Sequence, residues 1–449
     1  MVRSLVRIGS LVGLLLAFAL AVRADDLKAP LGKVELADGD SIVFLGDSIT
    51  HQRLYTQYVE DYFYTRFPQQ RLKLHNAGVG GAQAWDALQR FDADVAAYKP
   101  KYVTILLGMN DGRYQPFNQE IFDTYRTDMT ELLERIKGIG ATPILMTPTM
   151  FDSRAARATN RERPAESTQL YNSVLTYYGT WLREIAVENG HGFVDMWGPL
   201  NNITLDERKS DPAFTLIKDA VHPDAPGQVV MATALVGDAG LPRLVSRITI
   251  NINKNGPKAN AKGGTVSDLV ETDDGIEFTW QANSLPWVLP EEAQLGVKLT
   301  RLGHRLSQES LEIHGLEPGR YMLTIDDQEV GRFPASRFER HLELQANAKT
   351  PQYAQALEVA TLNKQRNEGP VSELRNEWRK FQQYARVKRD AAANPDNAQA
   401  KEQLDKLEAE IAGMDERVAA ANAAAREIED QIFAINQPPT RKYVLKRVR

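Results

Sequence analysis

The sequence contains no cysteine. That excludes disulfides, thiolate metal sites, iron–sulfur clusters and a cysteine nucleophile, and it leaves no thiol near the start for a lipid anchor. It also lacks a long basic run before its last ten residues, and its formal net charge is −5. Nucleic acid is therefore not an expected partner. Its longest uncharged apolar run, LVGLLLAFALAV, falls short of the roughly 20 residues that a membrane span needs. A chain without disulfides must rely on its core, and 449 residues suffice for two or three cores.

The apolar run has a clear context. Arg3 and Arg7 precede it, and VRA precedes Asp25 and Asp26. That order reads as an export signal, residues 1–24, cut after Ala24 and implying a periplasmic or extracellular protein. Without Arg3, Arg7 and Arg23, 51 basic residues face 59 acidic ones, a charge near −8. Hydrophobic residues at 43% and charged residues at 25% are globular proportions.

From 25 to 243, short apolar runs alternate with amphipathic stretches. SIVFLG, RLKLHNAG, YVTILLG, TPILMTP and GFVDMW read as strands. Residues 53–67, 83–98, 118–138, 166–189 and 225–236 read as helices. The alternation predicts an α/β domain with a parallel sheet covered on both faces. Residues 244–348 show period-two patterning with turns and predict a small antiparallel β unit. From 349 to 436 the pattern is helical, broken at ANPDNA. Leu404, Leu407, Ile411, Met414, Val418, Ala421, Ala425, Ile428, Ile432 and Ile435 form an unbroken heptad seam. An antiparallel helical hairpin is the simplest reading, and self-association through the seam is the other. Residues 437–449 read as a basic tail, either solvated or an edge strand.

Chemistry concentrates on four loops of the first domain. In FLGDSITH a strand ends at Gly46 and delivers Asp47 and Ser48 to a helix start. There Ser48 is either a cap or a nucleophile. In NAGVGGAQAWD, Gly78, Gly80 and Gly81 let backbone N–H groups approach a ligand or simply make a tight turn. In LLGMNDGR, the Asn110 amide is a neutral donor suited to an oxyanion, or part of a turn-forming Asn-Asp pair. In IKDAVHPDAPGQ, Asp219 precedes His222 by three residues. That spacing lets a carboxylate hold one ring nitrogen while the other faces a serine.

In order and separation, GDSIT, the glycine cluster, GMND and DAVHP resemble the SGNH/GDSL hydrolase family over residues 38 to about 240. The resemblance implies a flavodoxin-like three-layer α/β/α sheet and hydrolysis of carboxylic esters without metal or cofactor. It makes Ser48 the nucleophile, His222 the base and Asp219 its orienting partner. The Ser48 N–H, the Gly81 N–H and Asn110 Nδ2 would form the oxyanion hole, with Gly80 as the alternative glycine. The family's donor glycine usually precedes Asp, whereas Gly81 precedes Ala82. The β unit and helices loosely resemble extensions on some bacterial members.

Asp47, Gly80, Trp85, Asp111 and Arg113, with Tyr114 and Trp197, are candidate substrate contacts. Aromatic and polar groups in these loops suit an O-acetylated carbohydrate. The charged stretch FDSRAARATNRERPAE supplies no apolar lid and reads as a flap beside the site. A lipid or lysophospholipid esterase, an O-acyltransferase, and a binding or scaffold protein with an idle triad are the alternatives.

Overall fold

The computed structural model describes residues 32–159 and 165–448. The expected export signal, and the centre of the expected flap at 160–164, lie outside the described residues. Five strands, Ser41–Gly46 (β1), Lys73–Gly78 (β2), Tyr102–Leu106 (β3), Thr142–Met146 (β4) and Gly192–Val194 (β5), pair in parallel in the order β2-β1-β3-β4-β5. Every residue of β1 and β3 is buried, which requires helices on both faces.

Those helices are Ser48–His51 (α1), Leu54–Arg66 (α2), Ala84–Asp94 (α3), Gln119–Gly138 (α4), Ser153–Thr159 (α5), Ala165–Asn189 (α6), Trp197–Glu207 (α7) and Ala225–Asp238 (α8). The result is the parallel α/β domain that the alternation predicts, in the flavodoxin-like three-layer form that the family resemblance implies. Strand order reverses at β1, so the loops leaving the carboxyl ends of β1, β2 and β3 lie side by side. Helix α2 does not continue from Ser48. Arg53, at φ 68°, separates it from α1.

The next region departs from a simple antiparallel unit. Its strands are Leu244–Asn253 (β6), Gly256–Lys262 (β7), Gly264–Thr272 (β8), Gly275–Ala282 (β9), Gln308–His314 (β10), Arg320–Ile325 (β11), Gln328–Pro334 (β12) and Leu342–Glu343 (β13). Short helices Gln294–Thr300 (α9), Leu302–Leu306 (α10) and Ala335–Glu339 (α11) interrupt them. One sheet has the order β13-β10-β6-β7, with β10 parallel to β6. The parallel pair arises because β8, β9, α9 and α10 intervene before the chain returns.

The second sheet, β12-β11-β14-β9-β8, contains Thr440–Val448 (β14) between β11 and β9. The expected basic tail is thus a central strand. Tyr443 and Leu445 are buried in a core shared by both sheets, with Ile250, Phe278, Leu311 and Leu323. Two of its cations pair with acids: Lys442 meets Glu277 at 2.8 Å and Arg441 meets Asp326 at 2.7 Å.

Helices Pro351–Arg366 (α12), Ser372–Ala393 (α13), Ala398–Ile411 (α14) and Met414–Ile435 (α15) form a kinked hairpin that turns at 394–397. A π-helical segment at Asn367–Val371 kinks the first arm. Gly413, at φ 69°, breaks the second. Leu407, Met414, Ala421, Ala425 and Ile432 of the heptad seam are buried within the chain, so the seam is used internally. Leu374, Trp378, Met414 and Ala421 belong to the same core as the parallel sheet. Among the described residues, no helix is long and apolar enough to cross a membrane.

Candidate active site

The turn after β1 is fixed by close packing. A Cβ on Gly46 would lie 2.1 Å from Thr50 Oγ1 and 3.0 Å from the Leu106 carbonyl, so only glycine lets the strand meet α1 here. The Asp47 N–H donates to the Leu106 carbonyl at 3.2 Å, and Asp47 Oδ1 accepts from the Ile49 N–H at 2.9 Å. Ser48 therefore opens a helix, where a first-turn N–H has no intrahelical acceptor.

Folding brings a loop 174 residues away to this hydroxyl. His222 Nε2 lies 2.8 Å from Ser48 Oγ, and His222 Nδ1 lies 2.6 Å from Asp219 Oδ2. Asp219 Oδ1 also accepts from the N–H groups of His222 at 2.7 Å and Val221 at 3.0 Å. Burial pushes the Asp219 carboxyl up, but these N–H groups and the imidazole outweigh it and hold the group below its usual value. An imidazole with a carboxylate on one nitrogen and a hydroxyl on the other can take the hydroxyl proton. His51 is not an equivalent base: burial and the Arg53 charge lower it to about 4.

The β2 and β3 loops face the same region. Gly81 has φ +71° and open space where a side chain would stand. Asn110 is held from three sides. Its Nδ2 donates to the Ala82 carbonyl at 3.1 Å, its Oδ1 accepts from the Tyr114 hydroxyl at 3.0 Å, and its backbone carbonyl accepts from Gln83 Nε2 at 3.0 Å. The Ala82 carbonyl can only accept, so it fixes which end of the amide is the donor, and Nδ2 keeps a second proton.

Several expected substrate contacts have other employment. Asp47 is buried and caps α1, and burial pushes it up to about 7. Asp111 is also buried, with its oxygens on the Ala84 N–H at 2.8 Å and the Gly108 N–H at 2.9 Å, and burial likewise pushes it up to about 7. Both brace loops from inside, Asp47 at the start of α1 and Asp111 between the β3 loop and the start of α3. Trp85 is half-buried, with the Arg389 guanidinium 4.1 Å above its ring. Trp197 follows β5 and donates to Asn172 Oδ1 at 2.9 Å. Arg113 is exposed.

Sequence reasoning also overlooked supporting residues. Buried Asp152 accepts from Arg208 at 2.6 Å and Thr215 at 2.5 Å, and its N–H donates to the Ala220 carbonyl at 3.0 Å. This ties the Asp219–His222 loop to the exit of β4. From α13, Gln382 Nε2 reaches the Gly80 carbonyl at 2.9 Å and Arg386 reaches the Gly81 carbonyl at 2.7 Å. No local signal marks these long-range partners.

Residues 44–230 match the model of the GDSL-like Lipase/Acylhydrolase family. An acetylxylan esterase of Geobacillus stearothermophilus is 27% identical over 235 residues, 48% of this chain and 100% of the relative. An uncharacterized lipoprotein of Bacillus subtilis (strain 168), YqeF, is 37% identical over 82 residues, 17% of this chain and 32% of its own. Among solved structures, a gut microbial diltiazem-metabolizing enzyme aligns with TM-score 0.77 and 27% identity, covering 93% of this chain and 100% of its own. The first domain therefore belongs to the GDSL-like lipase/acylhydrolase family, and the protein is a carboxylic ester hydrolase.

Proposed function

We propose that the protein is an exported serine esterase that removes short acyl groups, foremost O-acetyl groups on carbohydrate, through an acyl-enzyme at Ser48. The observation that carries this reading is the hydrogen-bonded line from Ser48 Oγ through His222 to Asp219, at 2.8 and 2.6 Å. Ser48 Oγ attacks the ester carbonyl while His222 Nε2 takes its proton. The Ser48 N–H, the Gly81 N–H and Asn110 Nδ2 receive the oxyanion. The proton then passes from His222 to the departing alcohol oxygen, and water repeats the sequence to release the acid.

The carbohydrate assignment is supported by similarity to an acetylxylan esterase along that relative's whole length. The export assignment is supported by the charge and apolar order of residues 1–24 and by the lipoprotein relative. The diltiazem-metabolizing neighbour, which matches nearly the whole chain, favours a second reading: an esterase for small-molecule esters.

The test is hydrolysis of p-nitrophenyl acetate and acetylated xylo-oligosaccharides by wild type and Ser48→Ala. Turnover should fall by at least about 10³-fold in the variant. Near-wild-type turnover by Ser48→Ala would remove the mechanism. Release of acetate from oligosaccharide weaker than from unrelated small acetyl esters would favour the second reading.

A further inference from the structure

We propose that Gln382 and Arg386, on helix α13 of the C-terminal hairpin, are positioning residues for the oxyanion-binding loop, so that the hairpin is a working part of the catalytic unit. The inference rests on the serine-esterase reading above and adds to it residues some 300 positions from the glycines they hold.

In a trans peptide the carbonyl and the following N–H lie in one plane and point in opposite directions. The Gly80 carbonyl and the Gly81 N–H share such a plane. Gln382 Nε2 holds that carbonyl at 2.9 Å, so the Gly81 N–H is aimed away from α13. Glycine allows this peptide to rotate more freely than any other residue would, and a donor that rotates is a poor oxyanion ligand. Gln382 is 5% exposed, so water does not readily replace it.

Arg386 secures the next peptide and the helix behind it. Its Nη2 donates to the Gly81 carbonyl at 2.7 Å and to Asp86 Oδ2 at 2.6 Å, while its Nε donates to Asp86 Oδ1 at 2.7 Å. Asp86 Oδ2 in turn accepts from the Gln83 N–H at 2.8 Å, and Gln83 Nε2 donates to the Asn110 carbonyl at 3.0 Å. One guanidinium thus braces the mounts of both proposed donors, Gly81 N–H and Asn110 Nδ2. Arg389, one turn further along α13, covers Trp85 on the same helix α3.

Steady-state kinetics on the full chain test this, with p-nitrophenyl acetate as substrate. Gln382→Met keeps the side chain's length and removes its donor. We expect kcat to fall about 10- to 100-fold, the scale of a misplaced catalytic group, with KM within about twofold and the thermal melt little changed. Arg386→Met should behave alike, and Arg386→Lys should recover part of the loss, because an ammonium reaches one acceptor where the guanidinium grips two. Lys388→Ala, on an exposed position of the same helix, should leave kcat unchanged. Should Arg386→Met fail to fold, Gln382→Met decides. Wild-type kcat in Gln382→Met, or a loss that vanishes once the folded fraction is accounted for, overturns the proposal. If Ser48→Ala is inactive while Gln382→Met is fully active, the positioning role fails alone; if Ser48→Ala is active, the esterase mechanism fails first.

Discussion

Behind the Ser48 hydroxyl, Asp47 and Asp111 are buried acids whose carboxyls titrate near 7. For Asp47 the cause is burial, opposed by the Ile49 N–H. Because the folded state holds this proton more tightly than the unfolded chain, the group's contribution to stability is complete below about pH 4. It is lost as pH rises through about 7. Asp47→Asn keeps an oxygen for the Ile49 N–H and removes the ionisation. Its melting temperature relative to wild type should therefore be several degrees more favourable at pH 8 than at pH 5; an equal difference at both would contradict the burial argument. The Ser48–His222–Asp219 hydrogen-bonded line was legible as a candidate because each member sits in a short block whose chemistry is local: a strand-to-helix serine, or a carboxylate three residues before an imidazole. The depth of Asp47 and Asp111 was not, because it depends on β1 meeting β3 and on α3 meeting the β3 loop, and neighbouring sequence does not report that. An acid beside a serine looks equally suited to solvent or core.

Among the elements, α13 joins the two halves of the chain by packing on α3 and β2. Its apolar stripe, Leu374, Trp378 and Phe381, is readable as a helical face. Its buried cation is not. Arg375 is fully buried and grips Asp94 with both terminal nitrogens, at 2.6 and 2.9 Å, while Arg90 reaches the same carboxylate at 2.7 Å and His75 at 3.0 Å. Arg90 also donates to the Gly46 and Ala77 carbonyls, so this cluster underlies the ends of β1 and β2. Removing one partner of a buried charge group leaves the rest undercompensated. Arg375→Ala should cost about 3–5 kcal/mol in urea unfolding; a cost under about 1 kcal/mol would show that water fills the gap without penalty. Sequence patterning assigns such an arginine to a solvated helix face, because its partner lies 281 residues away. Strand β14 hid itself similarly: its alternation was visible, but its neighbours β9 and β11 belong to distant turns.

At the scale of the molecule, the parallel sheet and the hairpin share one hydrophobic core, and the diltiazem-metabolizing neighbour keeps the same arrangement over 93% of this chain. A fragment comprising residues 32–243 would expose Asp94 without Arg375, and the α2 acids Glu60 and Asp61 without Asn367 and Asn363. Expressed alone, it should be insoluble or lack cooperative melting and esterase activity. A soluble fragment with full turnover would show that the hairpin is dispensable. The fold class of the first domain was open to reading because strand and helix periods are local properties. The docking of one region on the other was not, because it is written in pairs that only the finished topology brings together.

The central place of β14 has a kinetic side. Between β13 and β14 the chain makes a helical excursion of almost a hundred residues, and β9 and β11 can acquire their shared neighbour only when that excursion has folded back. Contacts of such sequence separation form late. Until they do, two apolar strand edges stand open to pairing with other molecules. Speed of hairpin closure, more than the final strength of the sandwich, then governs how much newly made chain escapes aggregation.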